Sequence, residues 1–175
     1  MWDQGDILLV TEWQVGGPEL PIEFSRVSES RDSALTLVID PDNGTRLPTR
    51  FAVSERTELE TTISDVRNRE GTSVDFIGYV NLIDHSQRCG VYSEASQIIR
   101  EWALSNEFDA VVWTDLPSNF HDQAGIKFTV EEAVRYLHNL PERGTARARE
   151  YIVNAPDEID TPLRRALKDD PWLQG

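Results

Sequence analysis

One carboxylate stands where acid–base chemistry could be placed. Glu70 lies in the segment Arg-Asn-Arg-Glu-Gly-Thr, residues 67–72, between the best helix pattern in the first half of the chain and a long apolar stretch. Gly71 can take a positive φ and reverse the chain, which could hold Glu70 against the interior of a sheet. The alternative is structural: Glu70 caps the turn or pairs with Arg67 or Arg69 on the surface. The residue pattern alone favours this structural interpretation.

Other reactive residue types give weaker signals. The three histidines have no ligand-like spacing with one another or with Cys89, so we expect surface histidines and no metal site: His85, His121 and His138. Cys89 lacks the cationic helical context of an activated thiolate and is interpreted as a loop or packing residue. Asp115 follows a short buried strand, where ligand sites often gather, although a turn residue before Pro117 is the favoured interpretation.

Composition excludes several classes of function. Among 175 residues, 31 are acidic and 17 are Lys or Arg, giving a formal charge of −14 that repels nucleic acids and anionic membranes. The single cysteine excludes an internal disulfide and fits a reducing cytoplasm. No phosphate loop, dinucleotide fingerprint or nucleophile elbow appears, so no cofactor is expected. There is also no signal-peptide pattern, and no apolar run approaches the length of about eighteen residues that a membrane-spanning helix needs.

The elements that must position Glu70 follow from hydrophobic periodicity. We predict a mixed α+β fold whose strands lie near 20–28, 34–40, 47–53, 74–83 and 109–114, and whose helices lie near 57–69 and 94–106, with three more after 128. Asn43-Gly44 predicts a tight hairpin that pairs strand 34–40 with strand 47–53. Trp102 and Trp113 are predicted to be core residues.

Residue types that are typical of helix N-termini support the predicted helix positions. Thr57 with Glu60 and Thr129 with Glu132 are predicted capping boxes, and Thr161-Pro162 predicts the start of the last helix. The simplest organisation is a single domain over 1–175, with an α+β core at 1–120 and a helical C-terminal extension at 121–175.

Several blocks together resemble a bacterial branch of the gamma-glutamylcyclotransferase-like family. They span most of the chain: Leu-Pro-Ile-Glu-Phe-Ser-Arg-Val-Ser at 20–28, Leu-Thr-Leu-Val-Ile at 35–39, Arg-Glu-Gly at 69–71, Val-Trp-Thr-Asp-Leu-Pro-Ser-Asn-Phe at 112–120, and the tail from Tyr151 to Arg164. The resemblance implies a small mixed β-barrel with flanking helices.

The resemblance also implies an activity. Enzymes of the family cyclise a γ-glutamyl amide to 5-oxoproline and release an amine. A glutamate after the helix moves a proton between the attacking α-amine and the leaving nitrogen, and Glu70 matches it. A Tyr-Gly-Ser-like loop after the first strand holds the substrate with backbone amides, which steady the developing oxyanion.

The sequence departs from the family pattern at its start. In the branch, a Gly-Trp-Gly-Ser-Leu-type segment precedes the Trp-Asp that stands here as Trp2-Asp3, and this chain opens at Met1 without that segment. We therefore carry over only Glu70, and no substrate-binding residue is assigned. We also expect the residues just after Met1 to pair poorly, giving either a homodimer that completes the sheet or a frayed N-terminus.

Two functions from different classes remain open. The first is cyclotransfer on a γ-glutamyl compound with Glu70 as general acid/base, which the Arg-Glu-Gly turn favours. The second is a non-catalytic module on the same fold that binds a small metabolite or a protein partner, which the missing loop favours. In both cases we expect a cytoplasmic protein that binds neither nucleic acid nor membrane.

Overall fold

The computed structural model describes residues 7–174, which form a mixed α+β protein with two three-stranded sheets. The chain divides into two compact units. One contains residues 21–47 and 117–174, and the other contains residues 7–20 and 48–116. The described residues form no closed barrel, so the barrel that the family resemblance implies is not observed in them. None of their helices is long and apolar enough to cross a membrane.

The first sheet is built on one long strand. β1 runs from Gln14 to Ser28 and pairs antiparallel with β2, Ala34–Ile39, so that Ile22 faces Ile39 and Val27 faces Leu35. The register shifts between Glu23 and Arg26, which is the signature of a β-bulge. The predicted strands near 20–28 and 34–40 are confirmed, although β1 begins earlier than predicted.

The predicted hairpin is wrong, because β1 lies between β2 and β3, Thr45–Phe51. The connection is instead a turn organised by Asp40, whose Oδ1 accepts the backbone N–H groups of Asp42 and Asn43 at 3.0 Å each. Gly44 has no positive φ. A Cβ there would lie 2.5 Å from the Pro21 carbonyl carbon, so Gly44 is needed for close approach to β1 rather than for a primed turn.

The residues from 121 onward, predicted as an extension, fold in the same unit as β2 and residues 21–28. This unit contains the helices from the C-terminal part of the chain. In chain order they are α3 (Phe120–Ala124), α4 (Val130–His138), α5 (Glu142–Val153), α6 (Pro162–Leu167) and α7 (Pro171–Gln174). α5 packs on β2 and α4 packs on α6. Four helices therefore follow residue 128 where three were predicted. The Thr129 and Thr161 side chains cap α4 and α6 as predicted.

The other unit carries the second sheet. α1 (Leu59–Glu70), β4 (Ile77–Asn81), β5 (Gln87–Arg88), α2 (Ser93–Ser105) and β6 (Ala110–Thr114) follow one another along the chain. The strand order is β5-β4-β6 with antiparallel pairing, and both α1 and α2 pack against β4 and β6. The sequence predicted α1, β4, α2 and β6 in this order, whereas β5 was not among the predicted strands.

Two local predictions in this unit fail. The apolar stretch 74–83 is extended only over β4, because Ser73 caps a short 3-10 turn at Val74–Phe76 by accepting the Asp75 N–H. The predicted capping box at Thr57 is also wrong. α1 begins one residue later, at an N-cap Glu58 whose side chain makes no capping hydrogen bond.

The predicted weakness after Met1 is wrong for residues 8–10. The Val10 N–H donates to the Val53 carbonyl at 2.8 Å, and the Glu55 N–H donates to the Leu8 carbonyl at 3.0 Å. Ile7 is buried. Residues 1–6 lie outside the described residues, and the homodimer stays a prediction.

Candidate active site

Glu70 is the last residue of α1, and the turn that follows it is tightly specified. Gly71 sits at the left-handed position with φ +60°, which glycine adopts without the Cβ penalty. The Gly71 N–H donates to the Asn68 carbonyl at 3.2 Å, and the Thr72 N–H donates to the Arg67 carbonyl at 3.3 Å. These bonds close the helix as a C-cap motif. The chain direction after Glu70 is therefore fixed by local sequence, as predicted.

The Glu70 side chain is partly shielded and paired. Its Oε1 lies 3.2 Å from Nη1 of Arg69, and 27% of the side chain is exposed. The Arg69 guanidinium also lies over the ring of Trp13, 6.0 Å from its centroid. The pairing with Arg69 is the one that the structural alternative predicted. The same pairing gives the carboxylate a defined orientation.

The connection after Glu70 reaches the sheet through a short apolar turn. Val74 and Phe76 are each 39% exposed, so they add apolar surface next to the Glu70 turn along the chain. The Phe76 carbonyl accepts the backbone N–H of Asp115 at 2.8 Å. The C-terminal end of β6 is thus tied to the place where β4 begins.

Asp115 is a buried carboxylate at that end of the sheet. It is 2% exposed, and its Oδ2 accepts the N–H groups of Gly90 at 2.6 Å and Val91 at 3.4 Å. Its Oδ1 accepts from the indole Nε1 of Trp113 at 3.4 Å. The interpretation as a simple turn residue understates its role, because the carboxylate holds the loop that leads into α2.

Trp113 is fitted closely to the strand beside it. Gly78 faces Trp113 across the β4–β6 pair, and a Cβ at residue 78 would lie 2.2 Å from the indole ring. Trp102 stacks on Phe108 with ring centroids 5.2 Å apart and meets Phe51 edge-on at 5.0 Å. Both tryptophans pack within this unit, but each is only partly buried, so the prediction that they are core residues is not confirmed.

Arg88 is an unusual cation on the second sheet. Its Nε donates to the Ile77 carbonyl at 2.8 Å, and its guanidinium lies 5.2 Å from the centroid of the Tyr79 ring. Its Nη2 is buried and has no hydrogen-bond partner. Sequence reasoning missed Arg88 because no motif surrounds it; only its pairing position opposite Tyr79 brings it to β4.

The remaining candidates are Cys89 and the three histidines. The Cys89 thiol donates to the Tyr92 carbonyl at 3.0 Å, and burial together with the Asp115 charge raises the pKa of that thiol. The three histidines are exposed, as predicted, and one of them pairs with Asp170 at 3.0 Å: His85, His121 and His138. Within residues 7–174, no group of His, Cys, Asp and Glu could hold a metal ion.

Comparison of the chain with protein families, with curated proteins and with solved structures finds no match.

Proposed function

We propose that this protein cyclises γ-glutamyl amides to 5-oxoproline with Glu70 as general acid/base. The observation that carries the proposal is the placement of Glu70 at the last residue of α1, where the left-handed Gly71 fixes the turn and most of the side chain is shielded from solvent. This arrangement is what the Arg-Glu-Gly resemblance requires of its glutamate. The ion pair with Arg69 is what the structural alternative predicts, so it does not favour the proposal over that alternative.

The proposed chemistry needs one proton carrier. The substrate α-amine attacks the γ-carbonyl carbon, the new C–N bond closes a five-membered lactam, and the original amide C–N bond breaks. Glu70 takes the proton that the attacking nitrogen loses and returns it to the leaving nitrogen, so that 5-oxoproline and a neutral amine are formed. A positioned carboxylate in this role typically contributes roughly 10²–10⁴ in rate.

The second requirement is a set of donors for the oxyanion on the γ-carbonyl. In the family that this chain resembles, backbone amides of the Gly-rich segment provide them. Loss of one such donor typically costs about 10²–10³ in rate, and loss of substrate positioning costs more. We therefore expect a chain without these donors to release 5-oxoproline slowly or not at all.

The test compares two chains over a panel of γ-glutamyl amines. One chain is the printed sequence, and the other carries a Gly-Trp-Gly-Ser-Leu segment fused before Trp2. We expect the fused chain to turn over faster, and Glu70→Gln in the fused chain to abolish release. The matched control is Glu60→Gln, an exposed glutamate in the first turn of the same helix.

Each outcome separates the proposal from its alternative. Equal activity of Glu70→Gln and Glu60→Gln would show that Glu70 does not carry the proton. Rapid turnover by the printed chain would show that another segment supplies the oxyanion donors. Binding of γ-glutamyl compounds without turnover in either chain would favour the non-catalytic module.

A further inference from the structure

We propose that β6 accepts an extended, basic segment of a partner protein as an additional strand. The proposal does not depend on the cyclisation reaction. β6 lies at one end of the strand order β5-β4-β6, so only one of its edges pairs within the sheet. All of its residues keep part of their surface exposed, whereas Ile77 and Val80 of the central strand β4 are fully buried. The outer edge of β6 is therefore open to solvent.

The register of the sheet determines which backbone groups of β6 point outward. The Leu82 N–H donates to the Asp109 carbonyl at 2.8 Å, and the Asp115 N–H donates to the Phe76 carbonyl at 2.8 Å. Because hydrogen-bonded pairs alternate along an antiparallel ladder, the odd-numbered residues of β6 bond to β4 and the even-numbered residues turn their N–H and C=O groups away from it. No backbone hydrogen bond within residues 7–174 satisfies these outward groups, which belong to Ala110, Val112 and Thr114.

The residue types of β6 leave this edge free to pair. The sequence Ala-Val-Val-Trp-Thr at 110–114 favours an extended backbone. It contains no lysine and no proline, and it pairs with β4 without a register shift, so the features that commonly block pairing at natural sheet edges are missing from this strand. Its outward groups therefore present half of a hydrogen-bonding ladder, which is the surface that strand addition uses.

Charge determines what kind of strand fits this edge. The sequence has no Lys or Arg between Arg100 and Lys127. Glu107 and Asp109 precede β6 and are exposed, and Asp115 follows it directly. The whole chain also carries a formal charge of −14. The field at this edge therefore attracts a strand with Lys or Arg at its ends and repels an acidic strand.

The same charges argue against a second copy of this chain as the added strand. In a two-fold antiparallel pair centred on Val112, Asp109 of each copy would lie opposite Asp115 of the other copy. Like charges placed directly opposite one another destabilise a sheet. Two chains that each carry a charge of −14 also repel each other at longer range. A basic segment of another protein is therefore the occupant that this edge fits.

The first test uses the unmodified chain and the peptide acetyl-Lys-Thr-Val-Thr-Val-Thr-Lys-amide, which is long enough to span positions 109–115. Amide hydrogen exchange is read residue by residue by NMR. We expect the peptide to slow exchange at the even-numbered residues of β6 and to leave it unchanged at Val111 and Trp113, which face β4. The same peptide with N-methyl groups on its central residues lacks the donors for the ladder and should bind at least about tenfold more weakly.

The second test addresses the charge of the partner. A peptide with Glu in place of both Lys residues should bind about threefold to tenfold more weakly than the basic peptide, as cross-strand charge pairs of ordinary strength predict. Asp109→Lys should reduce this preference. Glu55→Lys makes the same change in net charge at an exposed residue after β3, on the other sheet, and should retain most of the preference. Equal binding of the two peptides to the unmodified chain would overturn the proposal.

The remaining outcomes are also decisive. Unchanged exchange at Val112 in the presence of the basic peptide, or equal binding of the N-methylated peptide, would overturn the proposal. Slow exchange at Val112 in the dilute free protein would do the same, because the edge would already be occupied. Exchange that slows without peptide as the protein concentration rises, together with a rise in mass by sedimentation, would assign the edge to a second copy of this chain instead.

Discussion

Asp115 shows how one side chain can hold an irregular loop in place. Its carboxylate is almost fully buried and accepts hydrogen bonds from Gly90, Val91 and Trp113. Every one of these partners is a donor, so an acceptor-only group suits the position. An amide there would turn an N–H group toward other N–H groups.

We predict that Asp115→Asn lowers the free energy of unfolding by about 1–3 kcal/mol, the usual range for a buried polar group left unsatisfied. The measurement is urea denaturation at pH 7. Asp109→Asn is the control, because Asp109 is exposed just before the same strand and loses the same charge. Equal stability of the two variants would show that the hydrogen bonds accepted by Asp115 do not stabilise the loop at Gly90 and Val91.

Glu23 is a second buried carboxylate, and it makes stability depend on pH. Burial raises the pKa of Glu23 above its ordinary value and nearby Asp40 adds to that rise, whereas hydrogen bonds from Thr161, Phe24 and Leu163 oppose it. The folded state therefore binds this proton more tightly than the unfolded state. Stability from this group is full below the unfolded pKa and falls as pH rises through the folded pKa.

We predict that the urea midpoint falls as pH rises from about 4.5, and that Glu23→Gln flattens this slope. The overall negative charge gives a slope of the same sign, so the control must remove one charge elsewhere. Glu19→Gln does so at an exposed position of the same strand. A slope that is equal in the two variants would show that Glu23 does not titrate in this range.

At the scale of the elements, the central position of β1 leaves no room for a side chain at residue 44. A Cβ added at residue 44 would lie 2.5 Å from both the Asp40 carbonyl oxygen and the Pro21 carbonyl carbon. Because these are backbone atoms, they cannot move aside as a side chain would. The close approach exists only because β3 and its turn lie against β1 rather than against β2.

We predict that Gly44→Ala destabilises the protein by roughly 1–3 kcal/mol through overpacking. The comparison is Gly125→Ala, where φ is +72° but no atom would lie within 4 Å of the new Cβ, so only backbone strain of about 1–2 kcal/mol is expected. Thermal unfolding followed by circular dichroism measures both. An unchanged melting temperature of the Gly44→Ala variant would contradict the close packing of the turn on β1.

Local signals predicted most elements, and non-local pairing decided the failures. The strand positions near 34–40 and 109–114 follow from runs of β-branched and apolar residues, and they are observed at 34–39 and 110–114. Asn43-Gly44 favours a hairpin locally, yet the long apolar β1 offers both neighbouring strands more pairing than they offer each other. Tertiary context therefore overrides the local hairpin signal.

The same distinction applies to the candidate site. The Glu70 turn was predictable because helix end, Gly71 and flanking apolar residues lie together in sequence. The unpaired Nη2 of Arg88 was not, because it depends on how β5 pairs with β4. The hydrogen bond that Asp115 accepts likewise comes from Gly90, which lies 25 residues away along the chain.

At the scale of the whole molecule, the formal charge of −14 dominates the electrostatics. Self-repulsion of that size destabilises a compact state, and salt screens it because the Debye length shortens from about 30 Å at 0.01 M to about 10 Å at 0.1 M. We predict that the melting temperature rises between 0.01 M and 0.2 M sodium chloride at pH 7. A melting temperature that falls with salt would mean that attractive ion pairs outweigh the repulsion.

The central claim is that the Glu70 carboxylate carries the proton that the leaving amine needs, and leaving-group dependence tests it most directly. The measurement is kcat for 5-oxoproline release by the segment-fused chain and by its Glu70→Gln variant, from γ-glutamyl ethylamide and from γ-glutamyl p-nitroanilide. The p-nitroaniline nitrogen needs far less protonation to leave. We predict that Glu70→Gln lowers kcat by roughly 10²–10⁴ for the ethylamide and by clearly less for the p-nitroanilide, while Glu60→Gln changes neither. An equal loss on both substrates, or no loss on either, would contradict the account.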